Sequence, residues 1–108
     1  ARHGEINGQR ILPASWIEET QRGNPALFGA PYTDVTPKGA YHNQFWIEEA
    51  GKPVLICRGI FGQLIYIDSS RDLVVTKLSS WPVFLDPTMT ADALAAIHAI
   101  AHELDDCP

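Results

Sequence analysis

Two long apolar runs separated by one polar turn constrain the fold of this chain more than any other feature. Residues 56–68 and 73–82 are rich in Ile, Leu, Val and Tyr, and the turn at residues 68–72 contains Asp, Ser and Arg. Such runs joined by a short turn predict antiparallel neighbours in one sheet. Residues 41–48 alternate well enough to predict a further strand, connected to the others through residues 49–52.

A helix is expected before the strands. Pro13 suits the first turn of a helix, where its missing N–H costs nothing. Alternatively, Ser15 caps the helix and Glu18, three residues later, completes a capping box. The Gly-Asn-Pro run at residues 23–25 predicts the end of this helix, and residues 25–39 predict a loop.

A second helix is expected after the strands, over residues 91–104, with Thr88 or Thr90 as its cap. Its apolar residues recur at helical spacing and predict one buried stripe, made of Ala93, Leu94, Ile97, Ile100, Ala101 and Leu104. The expected fold class is therefore α+β, an antiparallel three-stranded meander flanked by an N-terminal and a C-terminal helix.

The composition limits the class of partner. The chain has 108 residues, which suits one domain, and a formal net charge of -5, which offers no basic field for nucleic acid or an anionic membrane. No apolar run approaches the roughly 18–20 residues that span a bilayer. We expect a soluble protein without nucleic-acid or membrane partners, and the sequence does not choose between cytoplasm and periplasm.

Metal and cofactor motifs are not evident. Cys57 and Cys107 stand far apart without a C-x-x-C pair, so neither a metal site nor a cofactor is expected. His98 and His102 have the spacing for one metal ion, but Ala99 stands where an H-E-x-x-H motif needs glutamate. Partly exposed helix histidines are the favoured interpretation.

Three segments resemble the C-terminal part of the β-lactamase-related serine hydrolases, and most of all the 6-aminohexanoate-dimer (nylon-oligomer) hydrolases. They are residues 7–16, 41–46 and 59–82, and the run K-L-S-S-W-P at residues 77–82 is the most specific part. The resemblance implies that residues 1–108 are a C-terminal segment of such a domain, with a partial β-lactamase/transpeptidase-like fold.

The resemblance also implies a reaction, the cleavage of an amide or ester through an acyl-enzyme. Family members use S-x-x-K, a Y-x-N type motif and K-T-G or a variant on a strand. Their serine attacks the carbonyl, and two backbone N–H groups hold the oxyanion.

The third motif aligns with Cys57, Arg58 and Gly59, which makes the N–H of Ile60 one oxyanion donor. These three residues and Trp46 are the expected substrate-binding residues. The absence of a Cβ at Gly59 would allow close approach of the substrate, while Cys57 in place of the usual lysine weakens a carboxylate-binding role.

The nucleophile of that mechanism is not found in the sequence. Lys38, Lys52 and Lys77 are preceded, three positions earlier, by Val, Glu and Val, so no S-x-x-K exists, and there is no G-x-S-x-G. The Y-x-N at residues 41–43 is interpreted as the start of a strand. The chain is therefore expected to be inactive alone.

The expected partners follow from this incompleteness. The upstream portion of the same protein would supply the nucleophile, and a small amide or ester would be the substrate. The first residues, Ala-Arg-His-Gly, predict an interior point of a longer chain. An uncovered sheet face and edge would also allow self-association.

One alternative from another class remains open. The chain could be a stand-alone, non-catalytic α+β module that binds a partner through its sheet edge. The resemblance does not select one amide or ester substrate among those that this scaffold accepts.

Overall fold

The computed structural model of the chain describes residues 2–107 and shows an α+β fold. A small antiparallel hairpin precedes a five-stranded antiparallel sheet in which the strands follow one another in chain order. The elements are β1 (Glu5–Ile6), β2 (Gln9–Arg10), α1 (Ala14–Arg22), β3 (Ala40–His42), β4 (Phe45–Ile47), β5 (Val54–Arg58), β6 (Leu64–Asp68), β7 (Leu73–Lys77) and α2 (Pro87–Asp105). The α+β class is confirmed, but the expected three-stranded meander has too few strands.

The first additional strand arises because residues 41–48 are a hairpin. Asn43 and Gln44 have φ values of 48° and 67°, so two consecutive residues adopt the left-handed region and reverse the chain. Two positive φ values are what a type I′ hairpin turn requires, and asparagine tolerates them well. Tyr41 is thereby paired with Trp46.

The second additional strand arises because residues 56–68 are also a hairpin. β5 ends at Arg58, a short 3₁₀ turn follows at Ile60–Gly62, and β6 returns antiparallel with Arg58 opposite Leu64. Phe61 has a φ of 56° and Gly62 a φ of 84°, which no continuous strand accommodates. β7 ends at Lys77, so residues 78–82 leave the sheet instead of extending it.

The two faces of the sheet carry separate cores. One face packs against α2 through Ile56, Leu64, Tyr66, Leu94 and Ile97. The other face holds a smaller cluster of Ala40, Ile47 and Leu55. α1 lies on this second side, where Gly23 at its end approaches Ala40 and Ile47 closely.

α1 begins directly after Pro13, as the first alternative predicted, whereas α2 begins earlier than predicted. In α1 the N-cap is Pro13 and no side chain caps it, so Ser15 lies inside the helix without a capping box. α2 begins at Pro87, and the Asp86 carboxylate accepts a hydrogen bond of 2.9 Å from the Met89 N–H. Thr88 and Thr90 are inside this helix, so neither is its cap. The predicted end of α1 before Asn24 is confirmed.

The buried stripe of α2 is rotated from the predicted one. Thr90, Leu94, Ile97 and Ala101 are buried, whereas Ile100 and Leu104 are 49% and 43% exposed. The pattern placed Ile100 and Leu104 in the stripe because they are large and apolar. The small side chains of Thr90 and Ala101 instead face the sheet and allow the helix to lie close to it.

An ionic network fixes the C-terminal end of α2 against the sheet. The Asp68 carboxylate is fully buried and accepts hydrogen bonds from the Ser70 N–H, the Ser70 hydroxyl and Arg71 Nη1, at 2.9, 2.6 and 2.7 Å. Arg71 also donates to both carboxylate oxygens of Asp105, at 2.8 and 2.7 Å. Burial on its own raises the pKa of Asp68, but the bonds from Ser70 and Arg71 outweigh it and hold the pKa below its ordinary value.

We expect Asp68→Asn to lower the free energy of unfolding at pH 7 by about 1–3 kcal/mol, because buried donors lose a charged acceptor. Since folding lowers the pKa of Asp68, its contribution is present above the ordinary pKa of about 4 and is lost as the pH falls further. Urea unfolding from pH 7 to pH 3 should therefore be less pH-dependent in the variant.

Asp72→Asn is the matched control, because Asp72 is exposed in the same turn. It should change the unfolding free energy by less than about 0.5 kcal/mol. Equal effects of the two substitutions would show that the Asp68 network does not stabilise the fold.

Candidate active-site edge

The candidate site lies where β5 loses one of its neighbours. β4 pairs with β5 only through Trp46 and Ile56, so beyond Ile56 the strand is bonded to β6 alone. Gly59 and the Ile60–Gly62 turn follow directly at this open end. Ile60 is 62% exposed, and its N–H has no hydrogen-bond partner among residues 2–107.

The loop after β7 holds this turn in place through backbone hydrogen bonds. Phe61 N–H donates to the Phe84 carbonyl at 2.9 Å, and Trp81 N–H donates to the Phe61 carbonyl at 3.2 Å. The Gln63 side chain binds Ser79 twice, accepting from its N–H at 3.2 Å and donating to its carbonyl. We call residues 77–84 the clamp.

Side chains of the clamp complete the contact. Lys77 Nζ donates to the Gly62 carbonyl at 3.0 Å and to the Ser79 hydroxyl, and it lies 4.6 Å from the ring centroid of Trp81. A Cβ added to Gly62 would come within 2.4 Å of the Trp81 ring, so the indole lies directly against the glycine. The K-L-S-S-W-P run therefore has a structural role, because its residues hold the Ile60–Gly62 turn.

Packing within the molecule leaves no room for a side chain at Gly59. A Cβ at this position would meet the Gln63 Cβ at 2.9 Å, so the space is needed for the side chain that binds Ser79. Its φ of −109° is ordinary, and the glycine is required for close packing rather than for an unusual backbone.

Trp46 and Arg58 are brought together by the sheet. The Arg58 guanidinium carbon lies 4.8 Å from the Trp46 ring centroid, an arrangement typical of a cation–π contact. Arg58 is half-buried, and burial lowers the pKa of its guanidinium. The Tyr32 side chain nearby raises that pKa, but by less than burial lowers it.

The sheet separates Cys57 from these two side chains. Consecutive residues of a strand point to opposite faces, so Cys57 faces away from Arg58. Burial raises the pKa of the Cys57 thiol, which disfavours the reactive thiolate. Of the expected substrate-binding residues, the structure thus groups Trp46 and Arg58 with Gly59 beside them, and places the Cys57 side chain on the other face.

The sequence reasoning missed the aromatic residues around Trp46. Tyr32 and Tyr41 have ring centroids 5.0 Å from that of Trp46, and Phe28 lies 6.3 Å away. Phe28 and Tyr32 come from the segment treated only as a loop. Aromatic residues within that loop were the signal available, but nothing in the sequence indicated which strand they would meet.

The described serines do not form the S-x-x-K arrangement of the family. Lys77 contacts both the Ser79 hydroxyl and the Gly62 carbonyl, which places it within the clamp. No serine or cysteine in residues 2–107 is hydrogen-bonded to a histidine. Asn43 of the Y-x-N run donates to Thr20 Oγ1 at 2.8 Å, which joins the hairpin to α1.

The histidines pair with carboxylates. His98 Nε2 lies 2.9 Å from a Glu48 carboxylate oxygen, His42 Nε2 lies 2.8 Å from Glu19, and His102 Nδ1 lies 3.7 Å from Asp106. Within residues 2–107, no three His, Cys, Asp or Glu side chains are grouped as metal ligands would be. His98 and His102 therefore lie beside different carboxylates.

Comparison with known proteins finds a hydrolase among the similar proteins. A 6-aminohexanoate-dimer hydrolase of Paenarthrobacter ureafaciens is 32% identical over 81 residues, which are 73% of this chain and 21% of that protein. The chain is related to a hydrolase. It spans about a fifth of the length of this relative, and no family model matches it. Neither helix within residues 2–107 combines the length and apolar character needed to cross a membrane.

We expect Gly62→Ala to destabilise the protein by about 2 kcal/mol or more. The left-handed backbone costs a Cβ about 1–2 kcal/mol, and displacement of Trp81 adds to that. Gly51→Ala is the matched control, because Gly51 has a φ of 83° but nothing within 4 Å of the added Cβ.

Urea unfolding of the two variants separates the effects of backbone conformation and packing. The difference between them measures the contact of Gly62 with Trp81. If both variants lost the same free energy, the clamp would not depend on this contact.

Proposed function

We propose that the chain is part of a serine hydrolase that cleaves amide or ester bonds through an acyl-enzyme. In this proposal Ile60 contributes one oxyanion-hole N–H, and the substrate lies along Trp46, Arg58 and Gly59, with Cys57 behind the strand. The N–H of the exposed residue Ile60, which has no hydrogen-bond partner among residues 2–107 and lies in a firmly held turn, carries the proposal. The similarity to a hydrolase supports the same reaction class.

Oxyanion stabilisation requires a donor whose direction is set before the reaction begins. A flexible loop would have to be ordered at each turnover, at a cost in conformational entropy. The clamp removes this cost, because hydrogen bonds to Phe61, Gly62 and Gln63 hold the residues that follow Ile60. A substrate carbonyl at this end of β5 would meet an N–H that needs no reorganisation.

The nucleophile belongs, in this proposal, to an upstream portion of the same protein. The half of the sheet face that α1 does not cover is apolar and open, with Ile65 39% and Val74 52% exposed. β7 is also the last strand of the sheet, so one of its edges is unpaired within residues 2–107. An additional segment of a hydrolase domain would cover both surfaces.

A partner-binding module is the second candidate function, and the unpaired edge of β7 is the observation that favours it. In that case the edge would add a strand from another protein. The two candidates differ in whether Ile60 matters for activity.

We expect Ile60→Pro, introduced into the complete encoded protein, to lower kcat about 10²–10³-fold on an amide or p-nitrophenyl ester substrate. Proline removes the N–H, and it suits this position because Ile60 is the first residue of the 3₁₀ turn and Gly59 before it is extended.

Ile60→Ala is the control, since it keeps the N–H and truncates the side chain. It should retain most of the activity. Equal losses in the two variants would contradict an oxyanion role for Ile60, and a complete protein without hydrolytic activity would favour the binding module.

We expect the 108-residue chain alone to self-associate at micromolar concentration through β7 and the open face beside it. Val74→Lys should shift sedimentation toward the monomer, because a charge on an edge strand opposes strand pairing. Leu78→Lys is the control, since Leu78 is 86% exposed but lies outside the strand. A wild-type chain that sediments as a monomer would show that these surfaces do not drive association.

A further inference from the structure

We propose that an apolar cavity between α1 and the sheet binds one small, neutral aromatic molecule. The cavity lies on the face of the sheet opposite α2, where Leu55 and Ile67 form its floor. Trp46, Arg58 and Ile60 do not line it, so the proposal depends on no part of the proposed hydrolysis. The apolar walls of the cavity are Leu12, Trp16, Ile17, Phe45, Leu55 and Ile67.

Separate parts of the chain close the cavity. The residues after β2 fold back onto the start of the chain, where the Leu12 N–H donates to the Gly4 carbonyl at 3.1 Å. A Cβ added to Gly4 would come within 3.0 Å of Ile17 Cδ1, so this segment packs directly on α1. From the sheet, Leu55 and Ile67 are paired on β5 and β6. Leu12 is 43% exposed, so a ligand can enter beside it.

The size of the cavity suits a single ring. Its volume is about 180 Å³, and an apolar cavity of about 150 Å³ lined by aliphatic and aromatic side chains is large enough to bind benzene. The rings of Trp16 and Phe45 meet edge to face, with centroids 6.4 Å apart and an interplanar angle of 77°. Aromatic rings prefer edge-to-face and offset contacts, so these two walls favour a third ring over an alkyl chain of the same volume.

Polar groups beside the cavity are bonded to one another. Gln21 Nε2 donates to the Ser69 hydroxyl at 3.4 Å, and that hydroxyl donates to the Pro53 carbonyl at 3.1 Å. The Pro53 carbonyl also accepts from the Ser69 N–H at 3.0 Å. A water molecule inside a protein needs about two to four polar partners, and these groups have few bonds left to offer. The cavity therefore favours an apolar occupant over water.

The ligand is expected to carry no charge. Within residues 2–107, no Asp, Glu, Lys or Arg side chain lines the cavity, so a charged ligand would find no counter-ion there. His3, which also lines it, is exposed to water. Burying a charge without a partner costs far more than burying a neutral ring.

The test is a titration of the complete encoded protein with benzene, observed through isoleucine δ1 methyl groups labelled with ¹³C. Ile17→Val identifies the Ile17 signal, and benzoate carries the same ring with a charge. We expect benzene to shift the Ile17 signal with a Kd at least about tenfold lower than that of benzoate, because benzoate would bury its charge without a partner. This comparison uses the wild-type protein, so it does not depend on the folding of any variant.

A matched pair of variants tests the place of binding. Ile67→Phe fills the cavity from the sheet and should weaken the binding of benzene at least about tenfold. Ile65→Phe is the control, because Ile65 lies two residues earlier on the same face of β6, is 39% exposed and does not line the cavity. It should bind benzene as the wild type does. The other isoleucine methyl signals report whether each variant keeps its fold.

Equal affinity for benzene and benzoate, or an unchanged Kd in a folded Ile67→Phe variant, would overturn the proposal. An Ile17 signal that stays fixed up to the solubility limit of benzene would also overturn it, since the cavity would then be closed or filled by another part of the complete protein. Hydrolytic activity does not enter this test, so its failure leaves the role of Ile60 unaffected.

Discussion

The contact between the Trp81 indole and Gly62 is the constraint on which this end of the molecule depends. A glycine is required because any Cβ would overlap the indole, and the positive φ of Gly62 completes the reversal between β5 and β6. Once the ring is in place, Lys77 and Ser79 have their positions against Gly62 and Gln63. Tertiary packing, and not local preference, therefore sets the conformation of the turn, including the left-handed Phe61.

In the proposed function, the clamp gives residues 77–84 a role, because they hold the turn that contains Ile60. A backbone N–H is the same group in every residue except proline. Its direction is therefore set by the residues that pack around it. Here a Trp, a Lys and a Ser that are distant from any reacting group determine where the Ile60 N–H lies. The K-L-S-S-W-P run contains none of the residues proposed to touch substrate, so in the proposed site it would act only through the turn that it holds.

Part of the fold could be predicted from sequence, and the failures have physical causes. The α+β class and the end of α1 followed from periodicity and from Gly23. The Asn43–Gln44 turn lacks the glycine that usually marks a hairpin, and the apolar residues on both sides suggested one strand. In α2, the hydropathy pattern included Ile100 and Leu104, which are exposed, and left out Thr90, which is buried. The proposed role of Ile60 came from resemblance alone, since an N–H has no sequence signature.

The single residue pair between β4 and β5 has a consequence for how this scaffold can diversify. With only Trp46 and Ile56 joined, the β3–β4 hairpin is positioned against β5 mainly by side-chain packing, through Trp46 on Arg58 and through the cluster that Ile47 shares with Leu55. Phe28, Tyr32 and Tyr41, the rings around Trp46, lie outside β5, so they can change in size without altering the strand that leads to Ile60. The surface around Trp46 and the geometry of the turn are thus set by different residues, and one can evolve while the other stays constant.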